Sequence, residues 1–255
     1  MISDQIDSVK KLFLLFDEMN AFKEELYNAI LSNLGEGIQV EVYFHHFNEK
    51  VFNRLIQDSL GNYAYYVIMP GNIQNAHLYI DVLPKEKVFL LDQINADLLN
   101  YASVYQDFKN DMYEGLLECL LELRTYEKLN LILASKQPSA FKEGFESFCR
   151  NYDFKYAIHN EGYTSKIKQG EVYIVFEDKD LISIIKKAKQ IGWKSGEDFG
   201  IISYNETPLK DVIENGITTL STDFYQMGKE LANLVLTNSK LQVKNRFHIY
   251  KRNSL

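Results

Sequence analysis

Cysteine, proline, positive charge and long apolar runs are all in short supply in this 255-residue chain. Its two cysteines, Cys119 and Cys149, fall inside helical patterns in neither CxxC nor metal-ligand spacing, which leaves no redox motif and predicts two buried free thiols. Four prolines, 46% hydrophobic and 25% charged residues place the chain among ordinary soluble globular proteins. A formal charge of −7 excludes a basic surface able to displace phosphate counterions, so any DNA contact belongs elsewhere. The N-terminal MISDQIDSVKK lacks the apolar core of a signal peptide, and no apolar run reaches membrane-spanning length. The expected location is therefore cytoplasmic, without a membrane partner.

What the chain has in quantity is aromatic residues, 17 tyrosines and 16 phenylalanines. Most such rings form core, and some suit stacking on a sugar or nucleobase; their number does not separate the two uses. It also has alternation. Strand-like runs at Lys11–Phe16, Ile38–Phe44, Ala64–Met69, Lys87–Leu91 and Ser103–Tyr105 alternate with helical patterns at Asn20–Asn33, Glu49–Ser59 and Ile73–Val82. An apolar helix is expected over Phe108–Arg124. The series then restarts, with strands at Leu129–Ala134, Phe154–Ile158, Val172–Phe176, Phe199–Tyr204, Ile217–Thr222 and Arg246–Lys251, and helices at Ser139–Arg150, Asp178–Ile191 and Phe224–Leu236. Such alternation predicts an α/β protein of two Rossmann-like lobes with parallel sheets and helices on both faces.

In open α/β sheets ligands sit beyond the carboxyl ends of the strands. The residues there are Asp17, Glu18 and Asn20; His45 and His46; Asp92 and Gln93; Gln106 and Asp107; Glu177 and Asp178; Asn205 and Glu206; Thr222 and Asp223. Carboxylates and amides beside Phe16, Phe22, Tyr105, Phe176, Tyr204 and Phe224 suit a neutral polyhydroxylated ligand. The same residue types are ordinary helix N-caps, the role expected of Asp178 and Asp223. The His45-His46 pair has no second ligand cluster at metal spacing, so no metal site is expected. No Walker motif, GxSxG elbow or Ser/His/Asp arrangement is present, and Gly35-Glu36-Gly37 reads as a helix C-cap, so neither a cofactor nor a catalytic residue is expected.

The stretch DFGIISYNETPLKDVIENGITTLSTDFYQMG, Asp198 to Gly228, resembles the effector-domain signature of the lac repressor family. Ser203–Pro208 stand for its "GYDDT" strand and proline turn, and Thr218, Thr219 and Met227-Gly228 for its "LTT" and "MG". VYQDFKNDMYEGLLECLLEL resembles the family's aspartate-led helix and HIYKRNSL its closing strand. The wording ISYNETPLK with ITTLSTDF looks most like Bacteroides-type regulators in which a GntR-type winged helix precedes such a domain. Only ten residues precede the first strand here, so the resemblance implies an effector domain separated from its DNA-binding domain.

The resemblance implies a type I periplasmic-binding-protein-like fold with three crossovers, near Gln106–Phe108, Thr222–Phe224 and Leu236–Val243. The N-terminal lobe is expected to hold residues 8–106 with 107–124 and 224–239, and the C-terminal lobe residues 125–223 with 240–255. It further implies ligand contacts at Asp17, Asn20, Phe22, Asp92 and Asp107, completed by Glu177, Asn205 and Phe224. Tyr105 and Phe141 join the expected lining. Phe141 stands where the family's "RxxGF" segment often places a sugar-clamping arginine, and His159–Gly170 is too short for the family's extra helix. The implied function is a sugar sensor, for a neutral monosaccharide such as fucose or arabinose, whose lobe closure passes to DNA through a homodimer. Spare apolar surface on Glu49–Ser59 and Leu209–Ile213 is expected to serve that dimer. A transport-type sugar-binding protein and, in another class, a sugar-processing enzyme are the alternatives.

Overall fold

The computed structural model describes residues 9–93, 96–163 and 166–255. The expected lobe boundary at residue 8 and the middle of the shortened 159–170 stretch lie outside the described residues. The chain runs through β1 (Lys10–Phe16), α1 (Ala21–Leu34), β2 (Ile38–Phe44), α2 (Glu49–Ser59), β3 (Tyr65–Ile68), α3 (His77–Ile80), β4 (Val88–Asp92) and β5 (Ala102–Tyr105). Then come α4 (Phe108–Glu118), α5 (Leu120–Leu123), β6 (Lys128–Leu133), α6 (Ser139–Asn151), β7 (Lys155–Asn160) and β8 (Glu171–Val175). It ends with α7 (Asp178–Gln190), β9 (Gly200–Tyr204), α8 (Pro208–Val212), β10 (Thr218–Thr222), α9 (Phe224–Thr237), β11 (Gln242–Lys244) and β12 (Phe247–Tyr250).

These elements form two units, one reaching Gln106 and including Phe224–Asn245, the other Asp107–Asp223 with Arg246–Leu255. The chain therefore crosses between them three times. The first unit's sheet has the order β11-β5-β4-β3-β1-β2, every pairing parallel. The second has β12-β10-β9-β8-β6-β7, parallel except for the antiparallel β12 edge. Each is a doubly wound sheet whose order reverses beside its first strand, at β1/β3 and β6/β8, the switch point where such sheets bind ligands. Central strands β8, β9 and β10 are buried throughout while β2 and β7 are only partly covered, as expected when helices cover both faces of a sheet interior. Each sheet accordingly has two apolar layers, such as Leu12, Leu14 and Phe16 on one face of β1 and Phe13 and Leu15 on the other.

Several expectations are corrected. Helix α4 packs Phe108, Met112 and Leu116 into the core of the second unit, so residues 107–124 belong there and not to the first. Residues 240–245 join the first unit, because β11 pairs with β5 and the third crossing falls at Asn245/Arg246. The expected helix over Phe108–Arg124 is interrupted at Cys119 (φ −92°, ψ 8°), although Leu116, Cys119 and Leu123 all stay on its buried side. The pattern at Ile73–Val82 yields a single turn, α3, after the Pro70-Gly71 bend. On α2, Phe52 and Ile56 are fully buried, so its apolar face is core; on α8, Leu209 and Val212 remain 59% and 70% exposed. Both cysteines are free and buried, and burial pushes each thiol up to about 12.

The glycines of the two family-like motifs have one physical purpose. A Cβ on Gly228 of α9 would stand 2.7 Å from Ala29 Cβ and 2.8 Å from Leu26 O of α1. A Cβ on Gly144 of α6 would stand 2.2 Å from Lys109 O of α4. In each unit a glycine lets two helices approach along the sheet face. Gly144→Ala and Gly228→Ala are each expected to lower stability by about 1–3 kcal/mol despite alanine's better helix propensity. Urea unfolding of the two variants measures this, with the larger loss expected at Gly144, where the backbone obstacle is nearer.

Candidate functional site

The carboxyl end of the first sheet gathers charge. Asp17, the residue after β1, is only 5% exposed, and its Oδ1 accepts from Glu18 N (2.5 Å) and from the ammonium of Lys23, itself 8% exposed. Asn20 caps α1, its Oδ1 accepting from Lys23 N at 3.1 Å, which aims the helix start and Lys23 back at Asp17. Phe22, beside Lys23, stacks on Phe224 at the start of α9, with centroids 5.7 Å apart and 18° between planes.

Asp92 ends β4 in a left-handed conformation (φ 77°), and its carboxylate accepts from Gln106 Nε2 while its carbonyl accepts from Gln106 N (2.9 Å). Tyr105 is its register partner on β5. Burial raises the Asp92 carboxyl to about 6, with Asp17 adding to the rise and Lys23 and the Gln106 hydrogen bond opposing it. His45, fully buried, sets Nε2 3.0 Å from Met69 O and leaves Nδ1 without a hydrogen-bond partner; burial pushes its imidazole down, as a structural histidine. Among the described residues no three His, Cys, Asp or Glu side chains gather into a metal site.

The second unit presents a more apolar strand-end face. Phe141 of α6, 3% exposed, lies 4.6 Å from the Phe108 ring and 4.7 Å from both Phe176 and Tyr204, and the last two stack at 4.7 Å and 14°. Where an arginine would project a charge, Phe141 thus closes an aromatic cluster. Asn205 follows β9 with φ 63°, the position matching Asp92 in the first sheet. Its amide nitrogen donates to Leu220 O (2.7 Å), its carbonyl accepts from buried Lys210 (2.7 Å), and its Oδ1 is buried without a hydrogen-bond partner. Two non-glycine residues in the left-handed region at equivalent strand ends mark both as positions where local conformation is held by its surroundings.

The other expected residues have identifiable partners. Asp107 caps α4, its carboxylate accepting from Asn110 N and Nδ2 at 3.4 and 2.7 Å. Glu177, not Asp178, occupies the N-cap of α7, makes no capping bond, and faces Lys136 at 3.4 Å. Asp178 instead lies 3.4 Å from Lys210. Asp223 Oδ2 is 3.1 Å from His248 Nε2. Glu206 is gripped by Arg252 through two hydrogen bonds of 2.8 and 3.1 Å, which makes it a brace for the β9–α8 turn. The structure thus brings Asp17, Asn20, Phe22, Asp92 and Phe224 to one strand-end face, with Tyr105 on the same sheet edge. It brings Phe141 and Asn205 to the other. Sequence reasoning missed Lys23, because a lysine in a helix's first turn reads as solvated and nothing in its spacing from Asp17 marks it as buried.

The architecture is a type I periplasmic-binding-protein-like fold. No family model and no curated protein matches the sequence. Solved structures do: a LacI family transcriptional regulator from Lactobacillus casei with bound glucose has 12% identity and a TM-score of 0.77, covering 96% of this chain and 99% of that one. A LacI family regulator from Enterococcus faecium with bound ribose has 16% identity and a TM-score of 0.75, covering 96% and 98%. The lac repressor bound to ONPG has 12% identity and a TM-score of 0.74, covering 97% and 82%. At these identities the likeness establishes the fold. Among the described residues no helix is long and apolar enough to cross a membrane.

The raised Asp92 carboxyl has a signed consequence. The folded state binds this proton more tightly than the unfolded chain, so stability falls as pH rises from about 4 through 6, by at most about 3 kcal/mol. Asp92→Asn keeps an acceptor for Gln106 and removes the half-buried charge. Thermal melts should show it more stable than the parent at pH 8, with the advantage vanishing by pH 4.

Proposed function

We propose that this chain is the ligand-sensing module of a LacI-like transcriptional regulator, binding a small neutral sugar at its strand-end faces without transforming it. The observation that carries this reading is the first unit's face, where Asp17, Lys23 and Asp92 offer hydrogen-bonding groups beside the stacked Phe22 and Phe224 rings. Hydroxyls and the apolar face of a pyranose or furanose demand such a pairing of polar and aromatic groups. Two acidic residues against one lysine disfavour sugar acids and phosphates. The sugars seen in related folds support the ligand class; fucose and arabinose are examples of the neutral monosaccharides that the carboxylates leave open.

With a net charge of −7, DNA contact falls to a separate domain, of the GntR winged-helix type by resemblance. Ligand binding that favours one arrangement of the two units over another shifts their populations, and a homodimer in the cytoplasm passes the shift on. Leu209 and Val212 on α8 supply exposed apolar surface for that dimer. Leu209→Glu with Val212→Glu should convert a dimer to monomer in analytical ultracentrifugation; unchanged mass refutes this contact.

The sensing role is tested by thermal shift against L-fucose, L-arabinose, D-ribose, D-xylulose and D-glucose. A sugar at about 100 times its Kd should stabilise the fold by about 2.7 kcal/mol. Phe22→Ala should abolish the response by removing the stacking surface. Absence of any shift across the panel overturns the reading.

A further inference from the structure

The ammonium of Lys23 is in an unusual electrostatic position. Lys23, 8% exposed, is the third residue of α1, and its ammonium carries three protons and has Asp17 Oδ1 as its hydrogen-bond partner. Asp17 in turn commits Oδ1 to two donors, Lys23 and Glu18 N, and among the described residues makes no hydrogen bond through Oδ2. Removing both ions from water costs several kcal/mol each, a cost recovered only when the remaining protons and lone pairs also find partners. This pair is therefore half satisfied, with donors on one member and an acceptor on the other left open. Both stand on the strand-end face next to the Phe22–Phe224 stack.

The surrounding charges define what can complete the pair. Asp92 is close enough for Lys23 and Asp17 to act on its carboxyl, so the group holds two acids and one base. An incoming anion meets net negative charge, and an incoming cation finds the nearest carboxylate oxygen already taken by Lys23. A neutral group that both accepts and donates fits: a hydroxyl oxygen accepts from the ammonium while the proton of a neighbouring hydroxyl goes to Asp17 Oδ2.

We propose that Lys23 and Asp17 are the specificity-determining couple of the first unit and read two adjacent hydroxyls of a neutral sugar. Lys23 donates to one oxygen, and Asp17 accepts from the next. The ligand class is therefore sugars with a free vicinal diol, and monosaccharides lacking one of those hydroxyls are discriminated against. This rests on the sugar-sensing reading above and adds the ligand feature being read.

The test is isothermal titration of the intact chain and its Lys23→Met variant. Probes are L-fucose, L-arabinose, D-ribose and D-glucose, together with monodeoxy derivatives of whichever sugar binds. A charged hydrogen bond is worth about 1.5–3 kcal/mol, so Lys23→Met should weaken binding about 10- to 100-fold. One monodeoxy derivative should lose a similar factor against the parent chain and lose almost nothing further against Lys23→Met. A merely structural lysine would leave that derivative's loss unchanged in the variant. If Lys23→Met does not fold, Lys23→Arg keeps the charge and moves the donors, and must show the same hydroxyl-specific collapse of discrimination. Binding of a sugar by the parent chain with an unchanged affinity in the variant, or with the same deoxy penalty in both, overturns the couple and leaves the sensor reading standing. No binding of any probe overturns both.

Discussion

A parallel sheet buried on both faces must be supplied with helices on both sides, and in this chain that demand organises everything else. Parallel neighbours cannot be joined by hairpins, so the strands are joined by crossovers, most of which carry a helix. The first unit takes α9 from more than a hundred residues downstream to cover the face of β1 and β3, with Met227, Leu231, Ala232 and Val235 in the same apolar layer as Leu12, Leu14 and Phe16. The second takes its β12 edge from the chain's last residues. The three crossings are the consequence, and Gly228 and Gly144 are where the helices come close enough to make the cover continuous.

The same winding aligns the carboxyl ends of all the parallel strands on one rim of each sheet, where side chains leave the apolar layers. There the two units diverge chemically. The first rim holds a buried ion pair and a carboxyl near 6; the second holds an aromatic cluster with one unpartnered amide oxygen, on Asn205. Phe141 shows the logic. Its ring occupies space between Phe108, Phe176 and Tyr204 that a charged side chain would enter only with a partner, so the second rim presents an apolar shape and a few fixed polar atoms.

Much of this was legible beforehand because it depends on period. The strand at Ile38–Phe44 and the helix at Glu49–Ser59 fall where apolar spacing put them, since a strand and a one-sidedly buried helix leave different periods. Rim residues such as Asp17, Asp92 and Asn205 were legible for the same reason, as the polar residues that end apolar runs. The three-residue strand β11 was not: it has no period to read, and its place is decided by pairing with β5.

The sequence by itself therefore determined the alternating α/β architecture, the polar residues that end its apolar strands and the acidic net charge. Tertiary structure alone decided which unit α4 joins, since its apolar face could be buried against either sheet until α6 approached it at Gly144. It also decided that Lys23 is not a solvated helix lysine but the buried partner of Asp17. Burial is a property of what folds over a residue, and six positions of sequence separation carry no record of it.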